Sequence, residues 1–268
     1  MDKTFKDISV TTRGYIATVE IHRPPHNFFD VSLIRQLADA FNALDDDNDS
    51  RAIVLVSEGK SFCAGANFSA NDGDDVSDST EFTESGFQNR TGSLYEEGVR
   101  LFSARKPIIA GIQGAAIGGG LGLSLVADFR VACPEARFAA NFVKLGIHPG
   151  FGLTVTLPRL IGQQKANEMF LTGRRIKGEE ALEIGLVDYL VSMDSLRERA
   201  TALAKEIAEN APLAILSTRA TTRMGLPDAV ERATDHELKE QQWLRTTRDA
   251  EEGIRAVAER RVGNFVGE

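Results

Sequence analysis

The sequence predicts an α/β fold with a mostly parallel sheet and a helical tail. Three observations predict it. Strand-like and helix-like segments alternate through about the first 190 residues, and helical signals alone fill the rest. Two glycine-rich loops each follow a short buried strand. Such loops lie where open α/β sheets build ligand sites, beyond the carboxyl ends of strands.

Taken in order, "YIATVEI" (Tyr15 to Ile21) alternates as a strand and, with the turn "TRG" before it, predicts a β-hairpin. "DVSLIRQLADAFNALDDD" predicts an amphipathic helix: Asp30 is a good N-cap, and Leu33, Ile34, Leu37, Ala38 and Phe41 share one face. Ala52 to Val56 is a continuous apolar run, as a strand covered on both sides requires. A helix is expected over Ser93 to Ser103, a buried strand over Pro107 to Gly114, and another over Asp128 to Ala132. "ARFAANFVKLGIHPGFGLTVTLPRLIG" reads as loop and short helix, and from Gln164 onward helices dominate. No internal repeat stands out. Asn71 to Glu84 carries Asp72, Asp74, Asp75, Asp78, Glu81 and Glu84 with no Lys or Arg, and predicts a mobile, solvated flap.

The chain of 268 residues, 42% hydrophobic, is long enough for a large core. A net charge of -8 argues against a nucleic-acid or anionic-membrane partner, though not against a small anion held by local Lys and Arg. The first residues lack the apolar stretch of a signal peptide, and no run approaches the ~18 apolar residues of a membrane helix, so a cytoplasmic location is expected. Cys63 and Cys133 form no metal or redox motif.

The two loops are "GKSFCAGANF" (Gly59 to Phe68) and "GAAIGGGLG" (Gly114 to Gly122). Neither has the G-x-x-x-x-G-K-[ST] of a phosphate loop, and the dinucleotide pattern fails because Ser124 and Leu125 stand where its third glycine belongs. No G-x-S-x-G elbow exists, which argues against an α/β-hydrolase. Glycine at such places lets backbone N–H groups approach a ligand closely. Tight strand–helix packing accounts for one of Gly118, Gly119 and Gly120, and three in a row ask for more.

Together the loops resemble the two signatures of the crotonase superfamily, the enoyl-CoA hydratase/isomerase family. "SFCAGANF" matches F-[CA]-A-G-A-D, and "IQGAAIGGGLGLSLVADFRVA" matches the glycine-rich second signature. "IHRPPHNFFD", "LTGRRIKGEEALEIGLVDYLV" and "EGIRAVAERRVGNFVG" match further family segments in the same order. The resemblance implies a crotonase (ClpP/crotonase-like) spiral of ββα units with a C-terminal helical region. It implies a core over residues 1–190 that binds an acyl-CoA, and a trimerising tail over 191–268. It also implies a homotrimer or a hexamer, and no cofactor beyond the coenzyme A of the substrate. By position, the N–H groups of Ala66 and Gly119 form an oxyanion hole for the thioester oxygen, Gly119 at a helix N-terminus. Losing one such donor typically costs ~3–4 kcal/mol. Cys63, Ala64, Gly65, Asn67, Phe68, Gly118, Gly122, Asn141 and Phe142 are the expected substrate contacts.

The pattern breaks where hydration chemistry should be. The two glutamates of familiar hydratases fall at Gly122 and Phe142, and the aspartate of some isomerases falls at Gly150. A general acid or base usually contributes 10²–10⁴-fold. Candidate replacements are His148, whose pKa suits proton transfer near neutrality, then Tyr95, Glu96, Glu97, Glu81 and Glu84. Asn141 is able to orient a water. Arg23 and Lys60 are weak candidates for the CoA phosphates. The resemblance therefore implies an enoyl-CoA hydratase label. Isomerase, thioester hydrolase through His148, and a catalytically silent CoA-thioester binder remain as alternatives.

Overall fold

The computed structural model describes residues 5–66 and 84–268, the side chains of 84–90 excepted. Asn67, Phe68 and most of the acidic segment, Glu81 included, lie outside the described residues.

Strands β1 (Ile8–Arg13) and β2 (Tyr15–Ile21) pair antiparallel around Gly14, whose φ is +55°. Helix α1 (Val31–Asp45) begins where Asp30 accepts the N–H of Leu33 at 2.8 Å, and its predicted apolar face is fully buried. The chain then repeats one pattern three times. A strand joins a large sheet, the next joins a small sheet, and a helix follows. The first pass is β3 (Ser50–Ser57), β4 (Ser61–Cys63) and α2 (Glu84–Phe102). The second is β5 (Ile108–Ile112), β6 (Ala115–Ile117) and α3 (Gly119–Ser124). The third is β7 (Phe129–Ala132), β8 (Arg137–Ala139), a 3-10 turn (Asn141–Leu145) and α4 (Leu153–Ile161). These are the ββα turns of the predicted spiral.

After α5 (Gln163–Thr172) come β9 (Ile176–Lys177), α6 (Gly178–Glu183) and β10 (Tyr189–Leu190). The large sheet has the order β1-β2-β3-β5-β7-β10 and is parallel from β2 onward. The small sheet is β4-β6-β8-β9. Helix α7 (Leu196–Ala208) lays Leu196, Ala200, Leu203 and Ala204 on one face of the large sheet, against Val54, Val56, Ile109 and Val131. Then follow α8 (Pro212–Thr222), α9 (Leu226–Leu244), which packs along α2, and α10 (Arg248–Ala258), which packs on the Asn141–Leu145 turn. Among the described residues no helix is long and apolar enough to cross a membrane.

Helix α2 already runs from Glu84, nine residues before the expected Ser93. Its first turns, "ESGFQNRTG", carry no apolar periodicity to read.

Two buried amides position the first glycine loop. Asn27, fully buried with φ +51°, donates to the carbonyls of Glu58 and Ser61, both at 2.7 Å. Gln113 Nε2 donates to the carbonyls of Ser57 and Ser61. Buried backbone carbonyls need such partners, and these fasten the end of β3 to β4.

Candidate active site

The two glycine loops meet. Gly65 has φ +86°, which L side chains rarely adopt, and a Cβ on it would lie 2.7 Å from the Ile117 carbonyl oxygen and 3.7 Å from the Gly119 nitrogen. Phe29 N donates to Gly65 O, and Ala64 N to His26 O, both at 3.0 Å, so the first loop is anchored to the segment before α1. Gly118, with φ +56°, donates its N–H to Ala139 O at 2.8 Å and turns the chain into α3. Gly119 is the first residue of α3, where a backbone N–H has no acceptor within the helix. Ala66 N–H has no backbone acceptor among the described residues. Both residues line one cavity of about 520 Å³.

Each of the three glycines has its own steric reason, which corrects the expectation that packing explains one. Gly118 needs its positive φ. A Cβ on Gly119 would fall inside the Phe29 ring, and one on Gly120 inside the Cys63 carbonyl. The fold itself thus requires the bare backbone at all three positions.

Aromatic rings stand where acid–base carboxylates were sought. A Cβ on Gly122 would lie 2.8 Å from Phe151 Cδ1, so the Phe151 ring covers that face. Phe151 is buried with φ +62°, and its ring centroid is 5.3 Å from that of Phe29. Phe142 Cζ is 3.6 Å from the Cβ position of Gly118. A Cβ on Gly150 would collide with Tyr95 Oη and would lie 2.6 Å from Gln241 Nε2. The phenol therefore occupies the room a side chain at 150 would need. Tyr95 donates to Gln241 Oε1 at 3.1 Å. Burial pushes the Tyr95 hydroxyl far above its ordinary range, with the nearby Glu237 adding to the shift, so it stays protonated.

The loop that carries Phe151 hangs on α9. Glu237, fully buried, accepts from Gly152 N at 2.8 Å, Thr154 N at 3.0 Å and Thr154 Oγ1 at 2.6 Å, capping α4 from a neighbouring helix. Gln241, one turn on, donates to His148 O at 2.8 Å.

Of the sequence-predicted contacts, Ala64, Gly65, Ala66, Gly118, Gly119, Asn141 and Phe142 line the cavity. Three candidates do not. Gly122 lies behind Phe151. Cys63 is fully buried, and burial raises its thiol to about 12, which removes it as a contact or nucleophile. His148 points its Nδ1 at Pro149 O at 2.7 Å and packs edge-on against His236, away from the cavity. Its backbone contributes instead, through the carbonyl that fixes Gln241. Glu96 is exposed and Glu97 pairs with Arg35 at 2.8 Å, neither facing the cavity. Arg23 is held by Asp7 and Asp30, both at 2.8 Å, and Lys60 does not line the cavity.

The cations that do line it, among the described residues, are Arg137, Arg175, Arg245 and Arg260, and His26 lines it as well. Sequence reasoning missed all four arginines. Arg137 opens β8, in register with Ala115 of β6, so only strand pairing brings it to the site. Gln241, on α9, and Arg245, its C-cap, are spaced i and i+4, which marks one face without saying what it meets. Among the described residues no cluster of His, Cys, Asp or Glu fits a metal ion.

The spiral of paired sheets, with two touching glycine loops at one cavity, is that of the crotonase fold. An enoyl-CoA hydratase/isomerase from Pseudoalteromonas atlantica superposes with a TM-score of 0.83 at 26% identity, covering 97% of this chain and all of that one. The family model "Enoyl-CoA hydratase/isomerase" matches residues 11–268, and the chain belongs to that family. It is 35% identical to a probable enoyl-CoA hydratase of Bacillus subtilis over 97% of this chain and 99% of that protein. It is 34% identical to a carnitinyl-CoA dehydratase of Salmonella typhi over 98% and 99% of the two. It is an acyl-CoA enzyme of this family.

Proposed function

We propose that the chain adds or removes water across the α,β double bond of a CoA thioester, with the thioester oxygen held by the N–H groups of Ala66 and Gly119. The observation that carries this reading is the contact of the two glycine loops at one cavity, with Gly65 and Gly119 adjoining. Charge that develops on the thioester oxygen as an enolate forms would meet donors already fixed by the fold, which costs no reorganisation during reaction. The named activities of the relatives support the reaction class.

The proton carrier differs from a carboxylate pair. Glycine at 122 and phenylalanine at 142 transfer no protons, and Phe151 fills the space at 122. Tyr95 is the titratable group that borders the cavity from α2, and its raised pKa keeps it protonated as a hydrogen-bond donor and makes it a poor proton carrier. A water oriented by Asn141, or one brought in with the substrate, is then the group that adds: its oxygen bonds the β-carbon as the double-bond electrons move to the thioester oxygen, and its proton goes to the α-carbon as the enolate collapses. Residues 191–268 supply the contacts of a homotrimer, alone or paired as a hexamer. Leu213 and Met224, 80% and 75% exposed, support such contacts. Two free, buried cysteines support a reducing, cytoplasmic setting.

Calorimetry and crystallography with acetoacetyl-CoA test the reading. The expected result is binding with the thioester oxygen within hydrogen-bond reach of Ala66 N and Gly119 N. No binding, or an oxygen placed elsewhere, overturns it. Turnover of crotonyl-CoA to the 3-hydroxy thioester is expected. A second reading, a silent thioester binder, is favoured by the two missing glutamates, and binding without turnover of any enoyl-CoA would establish it.

A further inference from the structure

The cavity is asymmetric. Arg137 and Arg175 line it and are exposed, Arg137 with Ser61 and Ala115 at the N-terminal ends of neighbouring small-sheet strands, and their side forms its open mouth. The opposite end is enclosed by α2 and α9, where Tyr95 and Gln241 are buried and Arg245 is half-buried. A chain of contacts leads there from the oxyanion donors. Gly119 abuts Phe29, Phe29 stacks toward Phe151, and Gly150 beside Phe151 abuts Tyr95 and Gln241. A CoA thioester bound at Ala66 and Gly119 leaves its bulky phosphates at the exposed mouth. Its acyl group then runs toward Gln241.

That end is polar, and its polarity is oriented. The amide of Gln241 has one possible direction, because His148 O accepts only and must face the NH₂. Its Oε1 then accepts the hydrogen bond of the Tyr95 hydroxyl. One Nε2–H of Gln241 has no partner among the described residues. The charges of Glu237 and, more weakly, Arg245 both reach the Tyr95 hydroxyl, with opposite effects. Among the described residues, no aspartate or glutamate lines the cavity. A purely alkyl acyl group would desolvate the amide without giving it a new partner, which is unfavourable.

Resting on the thioester reading above, we infer that the acyl pocket selects acyl groups bearing a hydrogen-bond-accepting oxygen beyond the β-carbon, which Gln241 receives on the Arg245 side of Tyr95. A site built to bond such an oxygen rejects the analogue that lacks it far more strongly than a greasy pocket rejects an extra group.

The test compares dissociation constants for four CoA thioesters of similar size: crotonyl, 4-hydroxycrotonyl, glutaconyl and 4-(trimethylammonio)crotonyl. The expected result is at least tenfold tighter binding of the hydroxyl or the carboxylate thioester than of crotonyl-CoA or the trimethylammonio thioester, neither of which carries an acceptor oxygen beyond the β-carbon. Preference for the hydroxyl alone assigns a neutral acceptor, and preference for the carboxylate assigns an anion. Gln241→Leu should lower the preferred-to-crotonyl ratio at least fivefold. Tyr95→Phe, which frees Oε1 and loosens the amide, serves if the leucine variant fails to fold and should lower the ratio in the same direction. Equal or tighter binding of crotonyl-CoA, or a ratio unchanged in the folded variant, overturns the inference. Failure of all four thioesters to bind overturns the thioester reading instead.

Discussion

Gly122 and Phe151 exclude larger partners at each other's positions. A methyl on residue 122 would sit 2.8 Å from Phe151 Cδ1 and 3.1 Å from its Cβ. Gly122→Ala should therefore cost about 1–3 kcal/mol, since overpacking forces a ring off its rotamer. Gly120→Ala should be worse, because its methyl meets the Cys63 carbonyl and backbone cannot swing aside. Thermal denaturation of the two variants checks the order. The cysteines give a second prediction at this scale. Burial raises Cys63 to about 12 and Cys133 to about 11. The thiolate is the reactive form, so a thiol reagent at pH 8 should label neither in the folded protein and both after denaturation. Rapid labelling of the native chain would contradict the buried placement. The absence of glutamate at 122 and 142 was legible in the sequence alone. What fills those places was not, because Phe151 is 29 residues from Gly122 and reaches it only through the fold.

At the scale of elements, α9 is the organiser. It caps α4 through Glu237 and braces the His148 carbonyl through Gln241, so it sets the loop that carries Phe151. Burial raises the Glu237 carboxyl above its ordinary 4.5 despite its three hydrogen bonds. The native state then binds this proton more tightly than the unfolded state. Its contribution is fully present below pH 4.5 and falls as pH rises through the native value. Glu237→Gln should remove that downward slope from a plot of urea midpoint against pH. Glu237→Ala should also loosen α4, by about 1 kcal/mol for the lost cap or more. Glu252 behaves oppositely. Hydrogen bonds from Arg261, Asn264 N and Arg255 hold it well below 4.5, so its contribution is present above that pH and lost in acid. Most elements were legible in the sequence, α1 with its Asp30 cap above all. The early turns of α2 were not, because a polar helix stretch carries no periodicity to read.

For the whole molecule, charge distribution is the informative quantity. The chain carries -8 overall, yet four arginines converge on one cavity. Anionic CoA thioesters should therefore bind more weakly as salt rises, since exposed charges are screened within ~8 Å at 0.15 M. Arg137→Ala and Arg175→Ala should each weaken CoA-thioester affinity severalfold at low salt and less at high salt. An affinity indifferent to salt in the parent would remove these arginines from phosphate binding. Light scattering on the purified chain tests the trimer or hexamer directly, and a monomer at micromolar concentration would reject it.

The sequence by itself determined the family, the paired glycine loops and the loss of the usual carboxylates, because each is written in contiguous residues whose spacing is fixed by covalent connection. Only the tertiary structure decided that Cys63, Gly122 and His148 stand off the cavity. It alone brought Phe151, Tyr95, Gln241 and four arginines to it. Those residues lie on separate strands and helices, and their meeting depends on sheet register and on α9 lying along α2. The glycine run shows the difference in one place. Its composition announced a backbone left bare, and packing against Phe29, Cys63 and Phe151 showed why nothing larger fits.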